Sequence, residues 1–192
     1  AAGAGEKQLA NITEVMDHSV ELAADVLSVT KGLRFKDVVI NHNYADDLPQ
    51  LRCHVAELQQ VFLSLFRYSC YALGKIEDPE HTPSINIEIS EFYDAIWVRI
   101  QHNGLGMSTE EQQLLFEPFF ASSHAAAGSE GPGSTSEEKH SAGERLSFAQ
   151  FIIAEQHQGQ IAVTSDINIG TTFHIQLPYP TAAEAENEID SI

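Results

Sequence analysis

Basic residues are scarce in this chain: Lys and Arg number 10 against 28 Asp and Glu, for a formal net charge of −18. Such a balance excludes a surface built to neutralise nucleic acid phosphates or an anionic membrane, since both would be repelled. Cysteine is nearly absent too. Cys53 and Cys70 stand alone without a Cys-x-x-Cys pair, so neither a zinc site nor a disulfide framework is expected. The 9 histidines show no ligand spacing such as His-x-x-x-His, which argues against a metal cluster built on them. No apolar run approaches the ~20 residues of a membrane span, and no basic-plus-apolar leader opens the sequence. The expectation is a soluble, cytoplasmic fragment with no direct membrane contact.

What is present suits one globular domain. The 192 residues are 43% hydrophobic and 20% charged, enough for one substantial core and too few for two ordinary ones. Residues 1–9, opening Ala1-Ala2-Gly3-Ala4-Gly5, read as a linker. In residues 7–28 the apolar side chains Leu9, Ile12, Val15, Met16, Val20, Leu22 and Val26 recur at mostly three- and four-residue intervals, which predicts an amphipathic helix. A strand is expected over 34–42, around Val38-Val39-Ile40, and then a turn at Asp46-Asp47-Leu48-Pro49. Val55 to Leu73 carries Leu58, Val61, Phe62, Leu65, Phe66 and Leu73 on one stripe and predicts a long helix.

Two alternating segments, 85–91 and 95–101, predict a hairpin closed by Tyr93-Asp94. The hexapeptide His102-Asn103-Gly104-Leu105-Gly106-Met107 follows it directly. Residues 121–142 shift to Ala, Gly, Ser and Glu with almost no bulky apolar side chains, the composition of a mobile lid. A helix over 146–157 and a hairpin of 160–166 with 171–177 complete the pattern, and residues 181–192 read as a flexible acidic tail.

The hexapeptide resembles the Asp-x-Gly-x-Gly-Met loop of the ATP-binding domain of two-component sensor histidine kinases, within the wider gyrase, Hsp90, kinase and MutL ATPase superfamily. Leu58-Gln59-Gln60-Val61 in the long helix, Leu115-Phe116-Glu117-Pro118-Phe119-Phe120 after the loop, Gly159 and Gly170-Thr171-Thr172-Phe173 carry the resemblance further, over residues 10–180. It implies an α/β two-layer sandwich, a mixed β-sheet of about five strands with three helices on one face. It also implies partners: a helical dimerisation and phosphotransfer domain and a response regulator receiver domain.

The chemistry of that family carries over less well. There, the acid that His102 replaces accepts a hydrogen bond from the exocyclic amine of adenine. A ring nitrogen of His102 accepting from that amine would compensate in part. The long helix of the family presents two asparagines four residues apart, the second a magnesium ligand, and here the matching positions hold Ser64 and Tyr68. A neutral phenol, with a pKa of about 10, is a weak ligand for a hard cation. The second glycine-rich box, which binds phosphates, is reduced to Ser141-Ala142-Gly143-Glu144-Arg145-Leu146. Gly143 keeps one close approach, Arg145 offers a phosphate contact, and Glu144 opposes anions.

Losing one hydrogen bond to a charged group costs about 1.5–3 kcal/mol, and a second loss brings this to roughly 3–6 kcal/mol. That corresponds to about a hundredfold to ten-thousandfold in nucleotide affinity. The candidate nucleotide-binding residues are therefore His102, Asn103, Gly104, Gly106, Ser64, Tyr68, Gly143, Arg145 and Thr172, with no catalytic residue and no protein metal ligand assigned. The first expectation is a degenerate docking or regulatory module with weak or no ATP binding and no cofactor; the alternative is a divergent kinase domain using Mg-ATP, and behind both stands a phosphotransferase whose accepting histidine lies in upstream helices. His18 is read as a surface helix residue, since the arginine and proline expected after an accepting histidine are missing.

Overall fold

The structure is a computed structural model that describes residues 6–27, 34–116 and 146–179. A five-stranded mixed sheet forms its base, with helices packed on one face. In chain order the elements are strand β1 (Gln8–Ala10), helix α1 (Ile12–Val26), β2 (Val39–Tyr44), β3 (Leu51–Cys53), α2 (Val55–Leu73), β4 (Ser84–Phe92), β5 (Ala95–His102), α3 (Thr109–Leu114), β6 (Gln160–Asp166) and β7 (Gly170–Pro178). A further helix, α4, runs through residues 146–157, with π-type spacing over Ile152–Gln156.

The sheet order is β2-β4-β5-β7-β6. Only β2 and β4 pair in parallel, and the intervening chain crosses over through α2, as a parallel pair requires. The other neighbours are antiparallel. The β4–β5 hairpin closes on Phe92↔Ala95, and its two loop residues, Tyr93 and Asp94, both take left-handed backbone (φ 47° and 56°). That is the two-residue turn whose twist matches paired strands.

The core lies between the sheet and α1 with α2. Ile85, Ile87, Ile89, Val98, Ile100, Phe173, Ile175 and Leu177 alternate onto the covered face, where Phe62, Leu65 and Phe66 of α2 meet them fully buried. Each such side chain contributes roughly 1.5–3 kcal/mol of transfer free energy. Buried Ser19 and Ser69 return their hydroxyls to the carbonyls of Val15 and Leu65 one turn earlier, so neither leaves an unmet polar group. Burial also pushes the thiols of Cys53 and Cys70 up, to about 11 and about 12, which keeps both protonated and inert.

Three expectations need correction. Residues 7–28 are not one helix. Gln8–Ala10, two of whose residues were expected in a leading linker, pair antiparallel with Leu51–Cys53 in a separate ribbon, and the helix begins only at Ile12. Leu9, which fits the helical spacing, is instead exposed on that ribbon. The strand expected over 34–42 begins at Val39, because Phe35–Asp37 form a tight 3₁₀ turn that buries Phe35 against Phe66, ring centroids 5.6 Å apart. Finally, the described helices number four rather than three, since Ser108 caps the short α3 by accepting from Glu111 N–H at 3.2 Å.

Candidate functional site

The candidate loop leaves the sheet at the end of β5, and strand register decides where its first side chain goes. His102 stands opposite Ile85 of β4 and Thr171 of β7, two residues on from Ile100, and so points to the helix-covered face. It is only 1% exposed. Gly104 N–H donates to its Nδ1 at 3.0 Å. A ring nitrogen that accepts carries no proton, so the neutral imidazole holds its hydrogen on Nε2. Burial holds the ring neutral by pulling its pKa down to about 4. Nε2 is itself buried and meets no hydrogen-bond partner among the described residues.

The remaining loop residues are held by the protein itself. Asn103 is spent on the segment before β4: its side chain accepts from Ser84 N–H at 2.9 Å and donates to Thr82 O at 2.9 Å, while its carbonyl meets His81 Nε2 at 2.8 Å. Gly104 lies against the end of α2, and an added Cβ would stand 2.5 Å from the backbone of Ala72 and Leu73. Gly106 lies closer still to the β6–β7 turn, where an added Cβ would stand 2.0 Å from Asp166 O, and its N–H is bonded to Ile167 O at 3.1 Å. Met107 N–H donates to Ser165 Oγ at 2.7 Å, and Ser165 Oγ sits 2.7 Å from Thr171 Oγ1. Both glycines thus have a packing reason to be glycine that involves no ligand.

Helix α2 supplies the opposite wall. Ser64 and Tyr68 fall on one side of it, one turn apart. The Ser64 hydroxyl is taken by Gln60 O at 2.8 Å. The Tyr68 ring lies 6.5 Å from the His102 ring and meets Phe173 edge-on at 5.7 Å. Burial, then the charge of Glu111 on α3, then Tyr71 push the Tyr68 phenol pKa well above its ordinary value, so it stays neutral. Among the described residues no group of three or more His, Cys, Asp or Glu is placed to hold a metal ion.

His102, Asn103, Gly104, Gly106 and Tyr68 are therefore brought together, with Ser64 a turn away on the same helix. Thr172 is not. It pairs with Gln101 on the open face of the sheet, whereas its neighbour Thr171, 1% exposed, shares the covered face with His102. The alternation Thr171, Phe173, Ile175, Leu177 would have identified the inward residue. Gly143, Arg145, the expected lid 121–142, Glu117 to Phe120 and the tail 181–192 lie outside the described residues.

The Gly104 hydrogen bond bears on the compensating role expected for His102. Nδ1 is already accepting from the loop backbone, and Nε2 bears the proton. The remaining ring nitrogen of His102 is thus a donor, whereas an adenine amine requires an acceptor. At residue 68, where the resemblance expects an asparagine, stands a neutral, ring-packed phenol, and the nearby Ser64 hydroxyl is engaged. Among the described residues, then, the loop offers no free acceptor at residue 102 and no amide or carboxylate at residue 68.

The layered architecture and the glycine loop between α2 and the sheet define an ATP-binding fold of the kind found in histidine kinases. Residues 54–181 match the family described as histidine kinase-, DNA gyrase B- and HSP90-like ATPase, and the chain belongs to that family. It is 27% identical to sporulation kinase E of Bacillus subtilis (strain 168) over 175 residues, covering 91% of this chain and 20% of that kinase. With the sensor histidine kinase ZraS of Escherichia coli (strain K12) it shares 24% over 171 residues, 89% of this chain and 31% of ZraS. The chain thus spans about a fifth to a third of the length of these relatives. The catalytic domain of the histidine kinase ThkA superposes with a TM-score of 0.66 at 19% identity, covering 91% of this chain and 96% of that one. A structure of ThkA in complex with the response regulator protein TrrA gives 0.63 at 18% identity, over 90% of this chain and 41% of that one.

Proposed function

We propose that this chain is a degenerate ATP-binding domain of a two-component sensor histidine kinase, a pseudokinase module kept for docking and regulation on the cytoplasmic side of a phosphorelay. One observation carries the reading: at residue 102 a buried neutral imidazole holds its proton on Nε2, with Nδ1 already engaged, where adenine recognition needs an acceptor. Tyr68 and the engaged hydroxyl of Ser64 support it at the metal position. The partners are a helical dimerisation and phosphotransfer domain of the same or another kinase and a receiver domain, by analogy with ThkA bound to TrrA.

Isothermal titration with Mg-ATP to millimolar concentration tests this reading. The expected outcome is no saturable binding tighter than about 1 mM, in keeping with a loss of roughly 3–6 kcal/mol from a micromolar site. Saturable micromolar binding overturns it and favours a working, divergent kinase domain. That second reading rests on similarity to kinases over about nine-tenths of the chain, and predicts that the full-length protein labels itself from ATP.

A further inference from the structure

At the end of β5 remote from residues 102–107, the β4–β5 hairpin carries two aromatic rings into solvent. Phe92 is 59% exposed and Tyr93 85%, with ring centroids 4.2 Å apart and planes at 72°, so each ring holds the other edge-on. The turn itself does not ask for tyrosine. Tyr93 takes φ 47°, left-handed backbone that asparagine or glycine holds at less cost, and costly backbone of this kind clusters where a ligand or partner is met. Strand alternation sets Phe92 on the open face of the sheet, with Ala95 opposite it and Pro178 and Trp97 on the same face. Trp97 Nε1 donates to Phe92 O at 3.1 Å and fixes the strand end beneath the rings.

Two carboxylates flank the pair. Asp94 sits in the turn and Glu91 precedes Phe92; both are exposed, and among the described residues neither has an ion-pair partner. The base on β5, Arg99, is spent on Glu88 at 2.8 Å. Tyr179, just past β7, marks where the two acids converge: its N–H bonds Asp94 O at 2.9 Å, and burial followed by the charges of Glu91 and Asp94 pushes its phenol up to about 12. Open ring faces among negative charges disfavour an anion and, in a chain of net charge −18, a second copy of the same patch. The residues beyond Tyr179 in sequence complement it no better, since Glu184, Glu186, Glu188 and Asp190 come without a base. A guanidinium does complement it, because its plane stacks on an aromatic face while its N–H fork meets a carboxylate.

We propose that the β4–β5 hairpin tip, Phe92 and Tyr93 between Glu91 and Asp94, is a docking surface for a basic segment of a partner protein, held by arginine side chains laid on the rings. The tip lies roughly 23 Å along β5 from His102, so this surface serves whether or not the loop after β5 holds a nucleotide.

The probe is the peptide acetyl-Gly-Arg-Gly-Arg-Gly amide, set against the same peptide with citrulline for arginine, which keeps the shape and removes the charge. Trp97 is the one tryptophan of the chain, so its fluorescence reports on the tip, and ¹H–¹⁵N spectra of the backbone locate the contact. The arginine peptide is expected to bind at millimolar concentration with shifts centred on residues 91–97, and the citrulline peptide not to bind. Tyr93→Asn removes a ring and Asp94→Asn a charge, and asparagine suits left-handed backbone at both positions, so each variant keeps the turn. Each is expected to weaken binding by about threefold or more. Equal binding of the citrulline peptide overturns the proposal, as does binding unchanged in either variant. Shifts centred on the acidic face of α1, tip signals that move with protein concentration, or no binding at millimolar peptide overturn it equally.

Discussion

Replacing Gly104 with alanine separates the two reasons a glycine can stand in this loop. If it serves only to let a ligand approach, the ligand-free protein will not notice an added methyl. The structure predicts otherwise. The new Cβ would lie 2.5 Å from Ala72 C and Leu73 N and 2.6 Å from Ala72 O, and all three are backbone atoms in the last turn of α2 that no rotamer change can clear. Forcing such an overlap costs about 1–3 kcal/mol. Moving the loop away also strains the bond from Leu105 N–H to Ala72 O, 3.0 Å long, whose loss adds about 0.5–1.5 kcal/mol. Together the expected destabilisation is about 2–4 kcal/mol. With a urea dependence of about 2 kcal/mol per molar, the unfolding midpoint of Gly104→Ala should fall by about 1–2 M without nucleotide. Equilibrium urea unfolding followed by far-UV circular dichroism measures it. A fall of less than about 0.3 M would refute the argument that packing holds this glycine.

Two further outcomes follow from named residues. The folded pKa of His102, about 4, lies below its ordinary 6.5, and those of His157 and His174 are lowered too, so the unfolded chain takes up more protons in that interval. Stability is then fully present above about pH 6.5 and is lost as pH falls toward 4, with His102 accounting for on the order of 3 kcal/mol, and His102→Gln should flatten that part of a urea-unfolding pH series. At the tip of the β4–β5 hairpin, Tyr93 is 85% exposed and holds φ at 47°, a region that asparagine tolerates better, so Tyr93→Asn should stabilise by about 1 kcal/mol and raise Tm by roughly 2–4 °C in calorimetry.

Much of the fold is legible in the residues, because long periodic segments report the surfaces they bury. The α2 stripe and the alternation of Ile85-Ile87-Ile89 with Ile96-Val98-Ile100 place two strands and the main helix nearly to the residue. The ribbon of β1 and β3 escapes this logic. Three residues per strand show no period, and their pairing joins positions more than forty residues apart through backbone groups that every residue carries. Helix α3 was within reach, since Ser108-Thr109-Glu110-Glu111 has the spacing of an N-terminal cap. The chemistry of the site divides in the same way. That position 102 departs from an acid is plain in one dimension. Which nitrogen holds the proton depends on where Gly104 N–H points, and that is set by the packing of Gly104 on α2 and of Gly106 on the β6–β7 turn.

These packing constraints explain how the loop can keep its shape without a bound nucleotide to hold it. Gly104, Gly106 and Gly170 are fixed by backbone that would collide with a Cβ: the end of α2 for the first, Asp166 for the second, and His102 O at 2.0 Å for the third. Asn103 is fixed by the three contacts that anchor the chain entering β4. None of these needs a ligand, so the loop keeps its shape for the sake of the core. Residue 102 is under the opposite pressure. A carboxylate buried there with only Gly104 N–H to meet it would cost several kcal/mol. A neutral imidazole instead bonds the loop through one nitrogen and leaves a single N–H unmet. In the ligand-free domain, histidine is therefore the less costly occupant of the two. The same reasoning holds at residue 68, where a phenol ring packed edge-on to Phe173 contributes apolar contact that an asparagine without a metal ion to bind would forfeit.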